Sequence, residues 1–340
     1  MIREAIDAIV NQGRSLSEEE AAGVMEEIMS GEATPAQLAA FLVALRLKGE
    51  TTEEIAGMAR VMRAKALRVP FEGASLLDTC GTGGDGMGTF NVSTAAAFVA
   101  AGAGAIVAKH GNRAMTSQCG SADVLEALGA RIDLPPEGVA HCLREVGVGF
   151  MFAPAFHPAM RFAAGPRREI GVRTVFNVLG PLTNPAGAQA QVLGVASAAL
   201  AEKMAQVLER LGCRHALVVH GDDGLDEMTL AGPSLVHELK DGALSSFRVV
   251  PEDVGLARAK GRAVKGGCPE ENAAALRGVL AGKGGALRDI VLLNSAAALA
   301  AADIAAGLAE GVSLAAAAID NGAAARALER FVEVSNSFGE

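Results

Sequence analysis

Half of the 340 residues are hydrophobic and 20% are charged, so the chain can bury a sizeable core in two structural units and is too apolar to stay disordered. A net charge of −9 argues against a nucleic-acid-binding footprint and leaves only local basic sites. Cys80, Cys119, Cys142, Cys213 and Cys268 have no zinc-ligand spacing and read as reduced thiols of a cytoplasmic protein.

Residues 1–70 read as four helices. Three begin with capping boxes, Ser17 with Glu20, Thr34 with Gln37 and Thr51 with Glu54, and Gly31 and Gly49 mark two ends. Four short helices bury little alone, so this unit should pack on the rest of the chain or on a second subunit. From about residue 73 the pattern alternates between strand and helix. Apolar runs at 74–77, 105–108, 148–152, 191–195 and 215–219 predict a mainly parallel sheet with right-handed crossovers. Runs at 235–239 and 245–249 flank Asp241-Gly242 and predict an antiparallel hairpin at the sheet edge. Beyond Glu270 the chain is alanine-rich helix. Its most apolar stretch, 290–309, is interrupted by Asn294, Ser295 and Asp303 and reads as a core helix rather than a membrane span. No basic-then-apolar leader opens the sequence.

The chemistry concentrates in residues 77–129. After the first strand comes GTGGDGMGTFN, with Gly81, Gly83, Gly84, Gly86 and Gly88 close together. Such a loop can take positive φ and bring backbone N–H groups to a ligand, and the helix that follows turns it into an anion cradle. The G-x-G-x-x-G within it is a poor dinucleotide fingerprint. The helix opens only near Ser93, and the next strand ends in Lys109 where a ribose-binding acid would be needed. The P-loop pattern GxxxxGK[ST] is absent. A second polar loop, KHGNR onwards, adds Lys109, His110, Asn112, Arg113, Ser117 and Ser121 to Asp85, Asn91, Ser93 and Thr94. Ser93 or Thr94 could instead simply cap the helix. Cys80 and Cys119 lie beside these loops and read as small packing residues rather than nucleophiles.

Residues 154–187 break the alternation with prolines and the cationic or potentially cationic side chains His157, Arg161, Arg167, Arg168 and Arg173. This stretch reads as a crossing between two units. Arg167 follows Gly165-Pro166 near an expected helix start, where its guanidinium could take a planar carboxylate with two parallel bonds or serve in an ordinary ion pair. In HGDDGLDEMT, Asp222, Asp223, Asp226 and Glu227 offer hard oxygens to Mg²⁺, or merely form a solvated acidic turn. With no Ser–His–Asp signature and no obvious essential thiol, the parts fit a reaction driven by positioning and charge stabilisation, such as phosphoribosyl transfer with departing pyrophosphate.

DTCGTGGDGMGTFNVSTAAAF, AKHGNR, GSADVLEALG, FAPAFHPAMR, GPRREIGVRTVFNVLGPLTNPA and GLDEMTL together resemble the anthranilate phosphoribosyltransferases of tryptophan biosynthesis, and the likeness spans essentially the whole chain. The resemblance implies transfer of the 5-phosphoribosyl group from phosphoribosyl pyrophosphate to the amine of anthranilate, with Mg²⁺. It implies an α/β fold with a small helical domain at 1–72, joined by part of about 160–187, and a large, mainly parallel-sheet domain at 73–340. By motif match, Gly81, Thr82, Gly83, Gly84, Asp85, Thr89, Asn91, Ser93, Thr94, Lys109 and Ser121 would hold phosphoribosyl pyrophosphate. Gly81, His110, Asn112, His157 and Arg167 would line the anthranilate path, and Ser93, Asp226 and Glu227 would hold Mg²⁺. A homodimer through the helical domain, and a transient contact with anthranilate synthase, are the partners this implies, with no nucleic acid and no membrane.

Three departures from the family pattern bear on the acceptor pocket: MTSQC at 115–119, Phe156 before His157, and Gly165-Pro166 before Arg167. Pyrimidine nucleoside phosphorylases share the fold but need no metal-bound pyrophosphate, so Asp226-Glu227 and the intact KHGNR count against them. A non-catalytic nucleic-acid-binding paralogue should show a basic surface and eroded motifs, and this chain has neither.

Overall fold

In the computed structural model, which describes residues 1–114 and 117–339, the chain opens with four helices, Ile2–Val10 (α1), Glu18–Ser30 (α2), Pro35–Lys48 (α3) and Thr52–Lys65 (α4). All three expected capping boxes form, with Ser17, Thr34 and Thr51 each accepting from the backbone N–H three residues on. The third has a second task. Glu54 is fully buried and accepts from the backbone N–H groups of Leu16 and Thr51, both at 2.8 Å, and from Lys48 Nζ at 2.9 Å. A buried carboxylate is tolerable only when so fully partnered. Gly57 lets α2 and α4 touch, since a Cβ there would stand 2.2 Å from the Glu18 carbonyl oxygen.

The sheet follows as Leu76–Gly81 (β1), Val92–Gly102 (α5), Ile106–Gly111 (β2), Ser121–Ala127 (α6), Pro136–Val146 (α7) and Val148–Phe152 (β3). The crossing holds Ala153–Phe156 (α8), Arg161–Ile170 (α9) and Phe176–Leu179 (α10). Then come Ala190–Gly194 (β4), Ala198–Arg210 (α11), His215–Gly221 (β5), Ser234–Lys240 (β6) and Ala243–Val249 (β7). Pro269–Leu280 (α12), Ala286–Ala301 (α13), Leu308–Asp320 (α14) and Ala323–Ser337 (α15) complete the described chain. The strand order is β3-β2-β1-β4-β5-β6-β7, parallel through β5 and antiparallel at β6 and β7. Successive strands run outward from β1 to β3, and the chain then crosses back to place β4 on the other side of β1. That reversal opens a crevice at the carboxyl ends of β1 and β4, where open α/β sheets receive ligands.

Strand alternation assigns the sheet's two faces to two cores. Ala190 and Val192 of β4, with Leu217 and Val219 of β5, face the core built with α5 and α12–α15. Leu193, Val195, Ala216 and Val218 face the other, shared with α1–α4, α9, α10 and α11. The N-terminal helices therefore bury their apolar faces against the same chain. Arg63 fastens them by donating to the carbonyls of Leu182 at 2.6 Å and Leu211 at 3.0 Å.

Candidate active site

The loop after β1 behaves as a cradle. Gly83, Gly84, Gly86 and Gly88 all have positive φ, the conformation for which glycine carries no steric cost. α5 then starts at Val92 with Asn91 as its cap residue, and neither Ser93 nor Thr94 caps it. Thr94 Oγ1 is instead buried without a partner among the described residues. Gly81 and Gly194 lack side chains because the acidic loop after β5 fills that space. A Cβ on Gly81 would meet Asp226 Oδ2 at 2.6 Å, and one on Gly194 would meet the Asp226 carbonyl oxygen at 1.7 Å. Asp226 Oδ2 accepts the Gly83 N–H at 2.7 Å and Glu227 Oε1 accepts that of Ser93 at 3.2 Å. Asp85 Oδ2 is buried and has no hydrogen-bond partner among the described residues. The other two acids expected to join them do not: Asp222 pairs with Arg248, and Asp223 accepts from Thr229 Oγ1 at 2.9 Å.

Lys109 and His110 belong to strand β2 itself rather than to the loop after it. Lys109 is buried and passes beneath the cradle, donating to the Thr79 carbonyl and to Ser93 Oγ, the latter at 3.3 Å. Below it lies Asp78, buried and accepting from the His110 N–H at 3.2 Å and Asn184 Nδ2 at 2.8 Å. Burial raises Asp78 to about 6, against the pull of Lys109. Burial, then repulsion from Asp85, raises Asp226 to about 7. Glu227 rises to about 8 through burial and the neighbouring Asp226. The cluster is thus short of positive charge, and its hard oxygens, one of them orphaned, fit Mg²⁺. Among the described residues no three acidic, His or Cys side chains enclose a cation by themselves, so oxygens of a ligand or water would have to complete its shell.

The same cleft, about 970 Å³, continues past the glycine loop to the crossing segment. His110 Nδ1 lies 3.1 Å from the Gly180 carbonyl. A carbonyl only accepts, so the proton is on Nδ1 and Nε2 keeps its lone pair. The Nε2 atoms of both His110 and His157 are buried without partners among the described residues, and the two rings stand 5.0 Å apart. Burial holds His110 down to about 3 and His157 to about 4, so both are neutral. Arg167 lies over the Phe176 ring at 4.8 Å, and among the described residues no carboxylate pairs with it. It sits in the last turn of α9, with Pro166 inside the helix, and not at a helix start as the sequence suggested. Docking on α2 and α3, with Ala163 and Pro166 buried, outweighs the one backbone bond proline forgoes.

All seventeen residues that the family resemblance assigned to substrates or metal line this one cleft. Arg113 lines the cleft as well, but spends its charge on Asp123 and Glu126. Phe156 is buried in the core and does not line the cleft, so its departure from the family pattern leaves the pocket wall unchanged. Met115 and Thr116, in the other divergent stretch, lie outside the described residues. Cys80 is buried and its thiol is pushed well above the ordinary range by that burial, while Cys119 rises to about 11 for the same reason, so neither is a ready nucleophile.

Several supporting residues escaped the sequence reading. Asn272 of α12 accepts the Gly267 N–H at 2.8 Å and donates to Asn91 Oδ1 at 2.9 Å, and Asn91 donates on to the Cys119 carbonyl at 3.2 Å. Asn294, the polar residue inside the apolar α13, brackets the Met228 peptide with bonds of 2.9 and 3.0 Å and so fixes the acidic loop. An isolated Asn in an apolar run was the available signal there. Arg173 reaches the glycine loop from the crossing and lines the cleft. Nothing local in its sequence marks it off from its neighbouring arginines.

Residues 3–66 match the helical bundle domain of a glycosyl transferase family, and residues 73–325 match that family's a/b domain. The chain is 64% identical over 336 residues to the anthranilate phosphoribosyltransferase of Chloroflexus aggregans, covering 98% of each. Its structure superposes on the anthranilate phosphoribosyltransferase of Thermus thermophilus with a TM-score of 0.93, 50% identity and 99% of each chain covered. The Saccharomyces cerevisiae enzyme, solved in complex with PRPP and Mg, gives a TM-score of 0.91 at 29% identity, over 99% of this chain and 98% of that one. The chain belongs to the anthranilate phosphoribosyltransferase family and is a glycosyltransferase of the pentosyl-transferring kind.

Proposed function

We propose that this member of the family joins anthranilate to phosphoribosyl pyrophosphate (PRPP), forming N-(5-phosphoribosyl)anthranilate and pyrophosphate in the second step of tryptophan biosynthesis from chorismate. The observation that carries this reading is the continuity of one cleft. A glycine cradle and a carboxylate cluster lie at one end, and at the other lie Arg167 and two imidazole nitrogens that have no partners among the described residues. Gly81, Thr82, Gly83, Gly84, Asp85, Thr89, Asn91, Ser93, Thr94, Lys109 and Ser121 bind the donor. Backbone N–H groups and the amino end of α5 receive the pyrophosphate as its charge grows. Ser93, Asp226 and Glu227 would hold Mg²⁺, which when bound would offset the negative charge of the departing pyrophosphate. Lys109 keeps Ser93 in place from below.

At the acceptor end Arg167 takes the anthranilate carboxylate. Asn112, His110, His157 and Gly81 line the path to the ribose. The lone pairs on the two Nε2 atoms accept the amine hydrogens and turn the nitrogen toward C1. An aromatic amine attacks C1 as a neutral nucleophile while the C1–pyrophosphate bond breaks, and the extra amine proton then leaves to water or a nearby group, so no strong base is needed. The smaller unit of 1–72, with part of about 160–187, and the larger one of 73–340 close this cleft between them. The packing of α9 on α2 and α3 supports that division.

Exposed Val10, Val43 and Leu47 on α1 and α3 support a homodimer through the helical unit. No described helix is long and apolar enough to cross a membrane. The reading places the protein in the cytoplasm, free to make transient contact with anthranilate synthase. The test is to mix the protein with anthranilate, PRPP and Mg²⁺ and follow loss of anthranilate fluorescence together with released pyrophosphate. Loss that requires all three components supports the transfer. Binding of PRPP with no loss of anthranilate would discard the acceptor and direct the next assay to phosphorolysis of pyrimidine nucleosides.

A further inference from the structure

The peptide units of Thr82, Gly83 and Gly84 are gripped from two sides. On one side Asp226 Oδ2 accepts the Gly83 N–H at 2.7 Å. On the other, Arg173 Nη2 donates to the Gly83 carbonyl at 3.0 Å and to the Thr82 carbonyl at 3.3 Å. The guanidinium lies against the Gly84 backbone, where a Cβ would fall 1.3 Å from Nη1, and Gly84 has a φ of +79°. Gly84 is therefore glycine for two reasons, its backbone conformation and the arginine beside it. Among the described residues no carboxylate pairs with Arg173, so its charge is met here only by carbonyl dipoles.

Arg173 is itself well anchored. Gly171 ends α9 in the left-handed conformation, its N–H donating to the Arg167 carbonyl at 3.3 Å. Beyond it, the Thr174 N–H donates to Asn177 Oδ1 at 2.9 Å, and Thr174, Val175 and Phe176 are buried. The arginine thus projects from a fixed backbone, six residues after Arg167, onto the loop that receives pyrophosphate.

We propose that Arg173 is the positioning residue for the donor cradle. It holds Thr82–Gly84 by their carbonyls, so that Gly83 N–H can pass from the Asp226 carboxylate to a pyrophosphate oxygen while the loop keeps its shape. The two grips differ in kind. Asp226 occupies the N–H that a phosphate needs, so that grip has to be released for a phosphate oxygen to bind there. Arg173 uses only carbonyl oxygens, which a phosphate cannot use, so its hold survives ligand binding. Its charge also offsets pyrophosphate approaching a carboxylate cluster. This inference rests on the proposed PRPP site.

The experiment compares wild type with Arg173→Ala and Arg173→Lys. It measures the KM of each substrate, kcat, thermal midpoint, and calorimetric binding of PRPP and of inorganic pyrophosphate with and without Mg²⁺. Losing two charged hydrogen bonds to the cradle loop should raise the PRPP KM and weaken pyrophosphate binding about tenfold or more. The anthranilate KM at saturating PRPP should stay within about twofold, and the midpoint within about 2 °C. Lysine, one point charge in place of a fork, should restore part of the loss. Added guanidinium ion should restore part of it in Arg173→Ala. Unchanged PRPP and pyrophosphate affinity in Arg173→Ala would overturn the proposal. So would equal losses in both KM values and kcat with a lowered midpoint, since that pattern belongs to a packing role. A wild-type protein that binds pyrophosphate without transferring ribose would defeat the proposed function. Loss of that binding in Arg173→Ala would still uphold the positioning role.

Discussion

Asn272 and Asn91 form a relay whose effect on donor binding can be calculated in outline. Asn91 precedes the cradle helix, and its amide is oriented at both ends, by Asn272 Nδ2 at 2.9 Å and by the Cys119 carbonyl at 3.2 Å. Asn272→Ala leaves the Asn91 amide free to flip and swing. Regaining one orientation and one rotamer on binding costs about 1–1.5 kcal/mol, so PRPP affinity should fall roughly tenfold. Asn91→Ala removes a donor to a charged oxygen, about 1.5–3 kcal/mol. If Asn272 acts through Asn91, the double variant should bind no more weakly than Asn91→Ala, leaving a coupling energy of about 1 kcal/mol. Calorimetric titration of all four proteins with PRPP closes the cycle, and denaturant unfolding of each separates stability from binding. Additive losses, with coupling below about 0.3 kcal/mol, would refute the relay. Asn272→Asp sharpens the test. It retains the acceptor for Gly267 but presents a second oxygen to Asn91 Oδ1, so it should bind PRPP more weakly than Asn272→Ala.

Arg167→Ala should raise the anthranilate KM by about 2–3 kcal/mol, or some 30- to 150-fold, and leave the PRPP KM nearly unchanged in initial-rate kinetics. A comparable rise in the PRPP KM would move Arg167 to the donor. Asp226→Asn combined with Glu227→Gln should abolish activity at every Mg²⁺ concentration, and retained Mg²⁺-dependent turnover would remove both from the metal site. The histidine pair sets an acid limit. His110 and His157, held near 3 and 4, stay neutral in the fold while the unfolded chain takes up protons below about 6.5. The unfolded state then binds more protons, so stability is full above about pH 6.5 and falls toward pH 4, by up to about 3 kcal/mol for each histidine. His157→Gln should remove about half of that slope in urea unfolding measured across this range.

Much of the fold was legible because its signals are local. Ser17, Thr34 and Thr51 meet partners three residues away, and Asp241-Gly242 turns a hairpin within its own four residues. Glycines too close together for an ordinary helix or strand announced the cradle. The acidic loop was legible only in part, since four neighbouring carboxylates look alike until the fold turns Asp222 and Asp223 outward and Asp226 and Glu227 inward. Pro166 misplaced the start of α9, because a helix docked on two others can spare a bond that an isolated helix could not.

By itself the sequence determined the helix boundaries set by caps, the parallel βα succession with its antiparallel edge, and the presence of a glycine-rich loop, a carboxylate cluster and an arginine suited to the proposed substrates. Each of these depends on backbone geometry or on chemistry within a few residues. Only the tertiary structure decided that Lys109 lies beneath the cradle, that Asn272 and Asn294 brace loops 181 and 66 residues away, and that Arg173 grips Gly83. Those contacts join segments whose separation in the chain carries no record of their meeting. Their hydrogen bonds require positions fixed to a few tenths of an ångström, and burial of both faces of the sheet supplies that precision.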